Sequence, residues 1–361
     1  MDSSEAPALR KVLSRGPLVT AVIVNYNSWP DTNALVESLA RAHEIEQGLA
    51  DIVVVDNAST GAIPISFESP PPGVRLIVRE ENGGFAVGVN TGWRASRSPW
   101  LLLLNPDLAV DQDLFSEVVD RIRSYGTEPP GIVGFGLLNE DDSPQPSVGQ
   151  FPNLLRSIRE QLIPRNRRKY QAISRTRPGP VEWVTGACML VNAGLLEALG
   201  GLDEEFFLYY EEVALCRSAR RLGWRVEFDP SINVIHLRPL QNRAVSPAIR
   251  AITRHSKLLY FRKHLPRWEF LSLCFLVSAE ARVRGFWSWA TRNHESQRAW
   301  RTILWIERAL RVGETIGGRE VSNLAAAISR DAESERASAI PGARRITPQF
   351  PRKEGSECRK P

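Results

Sequence analysis

The stretch Trp-Leu-Leu-Leu-Leu-Asn-Pro-Asp, from Trp100 to Asp107, constrains this chain more than any other. Pro106 halts any helix running through it, and Pro99 bounds it on the other side. A leucine run this short between such breakers reads as a strand buried on both faces, as in the middle of a parallel sheet. Its carboxyl end delivers Asn105 and Asp107. Ligands of open α/β sheets sit at such ends. A carboxylate beside an amide there suits a divalent cation and the phosphates it bridges. Asn-Pro-Asp serves equally as an Asx-type turn that ends a strand, and the stretch alone leaves both readings open.

The flanking sequence repeats the pattern. Leu18 to Val24 predicts a strand that ends in Asn25-Tyr26-Asn27-Ser28, with Asp31 or Thr32 as the cap of a helix reaching about His43. Asp51 to Val55 predicts a second strand, ending in Asp56-Asn57. Val74 to Val78 predicts a third, leading into Glu81-Asn82-Gly83-Gly84-Phe85 and a helix over Ala86 to Ala95. Strands alternating with helices, each strand ending in a polar or glycine-rich turn, predict an α/β fold: a Rossmann-like, mostly parallel sheet with helices on both faces. The chain has neither Gly-x-Gly-x-x-Gly nor Gly-Lys-Ser/Thr, which disfavours a dinucleotide dehydrogenase and a P-loop NTPase.

Further on, Gly131 to Leu138 reads as a strand, and residues 139–180 as a basic insertion, either a solvated loop or an arm at the mouth of a site on the acceptor side. Val181 to Val191 is strand-like but broken by Gly186, where a backbone or ligand approaches closely. Glu211 and Glu212 open a helix whose apolar face carries Leu215, Ala219 and Leu222. The helix dipole favours their ionised forms. They either serve that dipole alone or present a general base to a cleft. His236 follows an apolar run and reads as a core residue or as a metal or phosphate ligand.

The net charge of +5 suits a phosphate-rich or anionic partner without demanding nucleic acid. Cys188, Cys216, Cys274 and Cys358 are scattered, so no zinc site or disulfide framework is implied and a reducing cytoplasm fits. No apolar run approaches the roughly 18 residues of a membrane span. Residues 1–17 read as a flexible leader, 18–243 as the catalytic unit, 244–318 as a helical region, and 319–361 as a disordered tail. Within the helical region, residues 268–292 interleave Trp and Arg beside an apolar stretch. That suits a helix at a membrane interface, a helix packed on the catalytic unit, or a dimer contact; oligomeric state is left open.

Taken in order, Val-Ile-Val-Asn-Tyr-Asn-Ser, Val-Val-Val-Asp-Asn-Ala-Ser-Thr, Glu-Asn-Gly-Gly-Phe-Ala-x-Gly-x-Asn, Leu-Leu-Leu-Asn-Pro-Asp, Val-Thr-Gly-Ala, Gly-Gly-Leu-Asp-Glu-x-Phe-Phe-x-Tyr-x-Glu-Glu and the later histidine resemble the family 2 glycosyltransferases, in their rhamnosyltransferase-like branch. The resemblance covers about residues 18 to 240. It implies a GT-A fold, a nucleotide-sugar donor, a divalent metal (Mg²⁺ or Mn²⁺) and an inverting single displacement. Asn25, Tyr26, Asn27, Asp56, Asn57, Asn82, Gly84, Phe85, Asn90 and Asn105 match donor-site positions. Asp107 matches the last acid of the metal motif, and His236 a late histidine that helps hold metal or diphosphate. Glu212 matches the catalytic base, with Glu211 before it. Glu212 stands where Asp is commoner, and Ala214 where a second Asp is common. The resemblance further implies dTDP-rhamnose as the leading donor, a glycan or polyprenyl-diphosphate-linked acceptor in cell-wall or surface polysaccharide synthesis, and a cytoplasmic enzyme peripheral on the inner face of the membrane. A non-catalytic nucleotide-sugar-binding partner protein is the alternative, and Ala214 is its support.

Overall fold

The computed structural model describes residues 16–162, 178–238 and 245–338. Its centre is β4 (Trp100–Leu104), every residue of which is buried. Leu101 and Leu103 enter one hydrophobic core while Leu102 and Leu104 enter the other. A strand with a core on each face needs an unbroken apolar run, because successive side chains point to opposite faces. Beside it lies β1 (Val19–Asn25), then β2 (Ala50–Asp56) and β3 (Val74–Val78), all parallel. On the other side the sheet runs through β11 (Cys188–Asn192), β6 (Ile132–Leu138), β12 (Val226–His236) and β5 (Leu108–Ala109).

The chain is therefore α/β as expected, but the sheet is mixed. β11 is antiparallel to both β4 and β6, and only β12 runs parallel to β6. β11 enters from the carboxyl end of β4, where the Asn105 N–H donates to the Ala187 carbonyl at 2.9 Å, so it must run back alongside β4. Asp229-Pro230 opens a bulge inside one continuous strand, β12.

Helices α1 (Trp29–Leu39), α2 (His43–Glu46), α3 (Phe85–Ala95) and α4 (Leu114–Ser124) flank the sheet. The first helix stops at Leu39, short of the expected His43, and neither Asp31 nor Thr32 caps it: Ser28 is the N-cap residue. The Thr32 hydroxyl donates to Asn25, and Asp31 pairs with Arg238. The basic insertion is partly ordered as β7 (Pro144–Gln145), β8 (Val148–Gly149), α5 (Leu154–Leu162) and β9 (Gly179–Pro180). β7 joins β6, and β8 pairs with β10 (Trp183–Val184). Most of its arginines lie at 163–177, outside the described residues. α6 (Ala193–Leu199) and α7 (Glu211–Arg221) follow β11.

The C-terminal region is a set of long helices, α8 (Pro247–His264), α9 (Arg267–Ala290), α10 (His294–Arg311) and α11 (Gly318–Ser338). The last overturns the expected disorder from residue 319. Val321 and Ile328 are buried in the core shared with α8, and apolar burial at helical spacing outweighs the polar composition that suggested a tail. Residues 1–15 and 339–361 lie outside the described set.

His255 on α8 has no exposed surface. Burial, helped by the charge of Arg262, pushes its imidazole down to about 4 from 6.5. Burial and the Arg221 charge do the same to His264. Below about pH 6.5 the unfolded chain takes up protons that the folded chain refuses, so stability is complete above that pH and is lost as pH falls toward 4. His255 alone accounts for on the order of 3 kcal/mol across that window. Thermal melts at stepped pH should show the midpoint falling between pH 6.5 and 4, and His255→Phe should flatten that part of the slope.

Candidate active site

The carboxyl ends of β2, β1 and β4 lie side by side, the position at which an open α/β sheet forms its crevice. Register places Asn25 opposite Asp56. Asn25 Nδ2 donates to Asp56 Oδ1 at 2.7 Å and to Ser59 Oγ at 3.0 Å, while its Oδ1 accepts from the Ser28 N–H and the Thr32 hydroxyl. The Ser59 hydroxyl in turn donates to Asp56. Asn57 Nδ2 donates to Asn82 Oδ1 at 2.8 Å and to the Gly84 carbonyl at 3.0 Å, and its Oδ1 accepts the Gly83 N–H. A chain of amides thus fixes the turns after β1, β2 and β3 against one another. Tyr26 stands exposed at the rim, and Asn27 beside it takes a left-handed φ of 53°.

Asn25 and Asn90 are fully buried, and Asp56 and Asn57 nearly so. Asn90 Nδ2 donates to the Leu202 carbonyl and to Glu204, and its Oδ1 accepts the Leu202 N–H. Both asparagines fix neighbouring turns through these bonds.

Asp107 and His236 come together because β5 pairs with the end of β12, setting His236 opposite Leu108. His236 Nε2 lies 3.3 Å from Asp107 Oδ1, and Nδ1 lies 2.7 Å from Gln145 Oε1. Gln145 accepts the Nδ1 proton, which leaves Nε2 facing the carboxylate. No cluster of three or more His, Cys, Asp or Glu side chains forms a metal cage among the described residues. An imidazole nitrogen beside a carboxylate is a donor set that a divalent ion accepts.

Glu212 lies at the start of α7, next to Gly186. A Cβ on Gly186 would sit 3.6 Å from Glu212 Cβ and 3.7 Å from Phe85 Cε1. The glycine lets Phe85, from the crevice side, and Glu212 approach the same backbone. Glu211 is buried. The residues before the helix, Tyr209 and Tyr210, both have left-handed backbones, φ 68° and 71°. Such strain in bulky residues costs roughly 1–3 kcal/mol each and collects at functional sites. Tyr209, Tyr210 and Glu212 line a cavity of about 690 Å³ whose far wall is α8, α9 and α10. Cys216 on the same helix is no competing nucleophile, since burial pushes its thiol up to about 12.

The sequence profile described as Glycosyl transferase family 2 matches residues 20–200, half of the chain. This chain belongs to the glycosyl transferase family 2. A relative 28% identical over 277 residues, the low-salt glycan biosynthesis hexosyltransferase Agl10 of Haloferax volcanii, covers 74% of this chain and 84% of its own. The N-acetylglucosaminyl-diphospho-decaprenol L-rhamnosyltransferase of Mycobacterium tuberculosis is 28% identical over 61% of this chain and 76% of its own. Among solved structures, a mannosyltransferase from Pyrobaculum calidifontis in complex with GDP-Man and Mn²⁺ aligns over 91% of this chain and 83% of that one, at 17% identity and a TM-score of 0.47.

In this transferase, Ala214 is buried in the core beneath α7. Sequence reasoning missed Gln145, which carries no local signal, and the cavity wall on α8. Arg250, Arg254 and Lys257 recur there at one-turn spacing and were legible as a basic stripe. The glycine of the Asn-Gly-Gly-Phe turn has a double reason. Gly84 takes φ +93°, and a Cβ there would run into the Phe207 carbonyl, which accepts the Phe85 N–H at 2.8 Å. Gly84→Ala should therefore destabilise the transferase by at least about 2 kcal/mol in urea unfolding.

Proposed function

We propose that this transferase moves a sugar, dTDP-rhamnose being the leading donor, from a nucleotide-diphosphate carrier to a glycan or polyprenyl-diphosphate-linked acceptor, with inversion at the anomeric carbon. The observation that carries the reading is the meeting of Phe85, Gly186 and Glu212, which sets one carboxylate between the strand-end crevice and the cavity. The unit at residues 18–243 supplies the chemistry, and the helices from 244 onward supply the acceptor side.

The donor nucleotide lies across the turns after β1 and β2, where Asp56 and Asn57 face the base and ribose and Tyr26 and Asn27 form the rim. Asn82, Gly84 and Phe85 line its sugar end. Asp107 and His236 would hold a divalent metal, with Asn105 beside them; bound there, the ion would offset the negative charge of the departing diphosphate. Glu212 takes the proton of the acceptor hydroxyl as its oxygen attacks the anomeric carbon. The new C–O bond forms as the bond to the diphosphate oxygen breaks on the opposite face, and the nucleoside diphosphate leaves. Fixed turns matter because a pre-set geometry removes the entropy cost of alignment from the barrier.

A lipid-linked acceptor asks the enzyme to work at a bilayer. No helix among the described residues is long and apolar enough to cross a membrane. α9 instead buries Leu273, Cys274, Val277 and Ala281 and exposes Trp268, Phe275, Val283, Phe286 and Trp289. Arg267 and Arg282 are exposed beside them. An apolar row edged by arginine suits the headgroup boundary of an anionic membrane, consistent with an enzyme peripheral on the cytoplasmic face.

Glu212→Gln should lower transfer by roughly 10²–10⁴-fold and leave metal-dependent binding of the nucleoside diphosphate unchanged. Transfer at the unmodified rate would remove Glu212 from the base role. A wild-type protein that binds nucleotide but transfers nothing to any acceptor would favour the non-catalytic partner. Phe275→Asp combined with Phe286→Asp should cut co-sedimentation with phosphatidylglycerol vesicles at least fivefold; equal co-sedimentation would remove the membrane from the reading.

A further inference from the structure

Glu212 stands directly after a strained pair, Tyr209 and Tyr210, whose φ values are 68° and 71°. Tyr210 is the N-cap residue of α7, and its carbonyl accepts the Ala214 N–H at 2.8 Å. Relaxation of the pair toward ordinary backbone angles would therefore swing the first turn of α7, and Glu212 with it. Bulky residues keep a left-handed conformation only where the surrounding structure over-determines it.

The chain just ahead of the pair is held from two sides. The Phe207 carbonyl accepts the Phe85 N–H at 2.8 Å, which ties it to the turn after β3. The next carbonyl, that of Leu208, accepts the Ser256 hydroxyl at 2.8 Å. Ser256 lies on α8 and is fully buried, so no water stands ready to replace its bond.

The same face of α8 supports the other side of the pair. Tyr260, one turn on from Ser256 and also fully buried, packs against the Tyr210 ring with centroids 5.6 Å apart. Its hydroxyl accepts from Arg217 of α7 at 2.9 Å. A turn further, the His264 carbonyl accepts from Arg221 at 3.0 Å. Ser256, Tyr260 and His264 thus form one row against residues 208–221. Of the three, Ser256 bonds the backbone immediately before the strained pair.

We propose that Ser256 is a positioning residue for transfer. It pins the Leu208 carbonyl, keeps Tyr209 and Tyr210 left-handed, and so holds the Glu212 carboxylate where it meets the acceptor hydroxyl. Ser256 does not line the cavity, so its effect on the reaction runs through Glu212. The inference rests on the transferase reading and deepens it. It gives the base a support from α8, outside the residues 20–200 that carry the family pattern.

The test compares the full chain with Ser256→Ala and with Ser256→Cys, which is similar in shape but only a weak donor. The probes are dTDP-rhamnose as donor and a farnesyl-diphosphate-linked N-acetylglucosamine as acceptor. In Ser256→Ala, kcat should fall roughly tenfold or more, with Ser256→Cys in between. The donor KM, and the amount of UDP or dTDP bound with Mg²⁺ per mole of protein, should stay as in the wild type. Hydrogen–deuterium exchange should rise over residues 209–214 in Ser256→Ala and stay unchanged over β4. A serine with a structural role alone would lower the melting temperature and leave kcat per bound nucleotide unaltered, and that result overturns the proposal. Unchanged exchange over residues 209–214 overturns it too, whatever the kinetics show. Should Ser256→Ala fail to fold, Ser256→Cys decides by the same criteria. A wild type that binds neither nucleotide would instead bring down the transferase reading, and the exchange comparison would still decide whether Ser256 holds the turn.

Discussion

The whole arrangement depends on β4 being buried from both sides. Leu101 to Leu104 give one core their odd members and the other core their even ones, so the strand is held by two independent packing surfaces. A strand gripped in this way cannot slip by one residue without exchanging its faces. Its carboxyl end, with Asn105 and Asp107, is accordingly fixed in depth relative to the ends of β1 and β2. The position of the strand-end crevice is a consequence of that register.

What surrounds the crevice is polar and buried, which makes it rigid. Asn25, Asp56, Ser59, Asn57 and Asn82 satisfy one another, and a fully satisfied buried network specifies one geometry because each broken bond would leave an unpaired group out of water. Gly84 and Gly186 add a different constraint: both are places where a side chain would meet another part of the site. The strained backbone at Tyr209 and Tyr210 belongs to the same economy of position, since it turns the chain into α7 just before Glu212.

The C-terminal helices change the character of the molecule. They bury Leu258, Leu259, Tyr260 and Phe261 in the same core as β4 and α7, which makes them part of the fold. They close a space against Glu212 that the α/β unit does not form on its own. The start of α11 also reaches the turn after β3, where Gly318 abuts the Gly83 carbonyl and Arg319 pairs with Glu81.

The sequence by itself determined the strands, the polar turns at their ends and the family, because periodicity, breakers and motif order are local properties of the chain. It singled out Asp107, His236 and Glu212 one by one as candidates. Only the tertiary structure decided that β11 runs backwards through the sheet, that residues 318–338 are helical, and that Asn25 and Asn90 are fully buried. It alone joined His236 to Asp107 through the pairing of β5 with β12, and placed Gln145 behind the ring. The physical reason is the same in each case: strand pairing and burial join residues far apart in the chain, and their energy is invisible to any window of sequence.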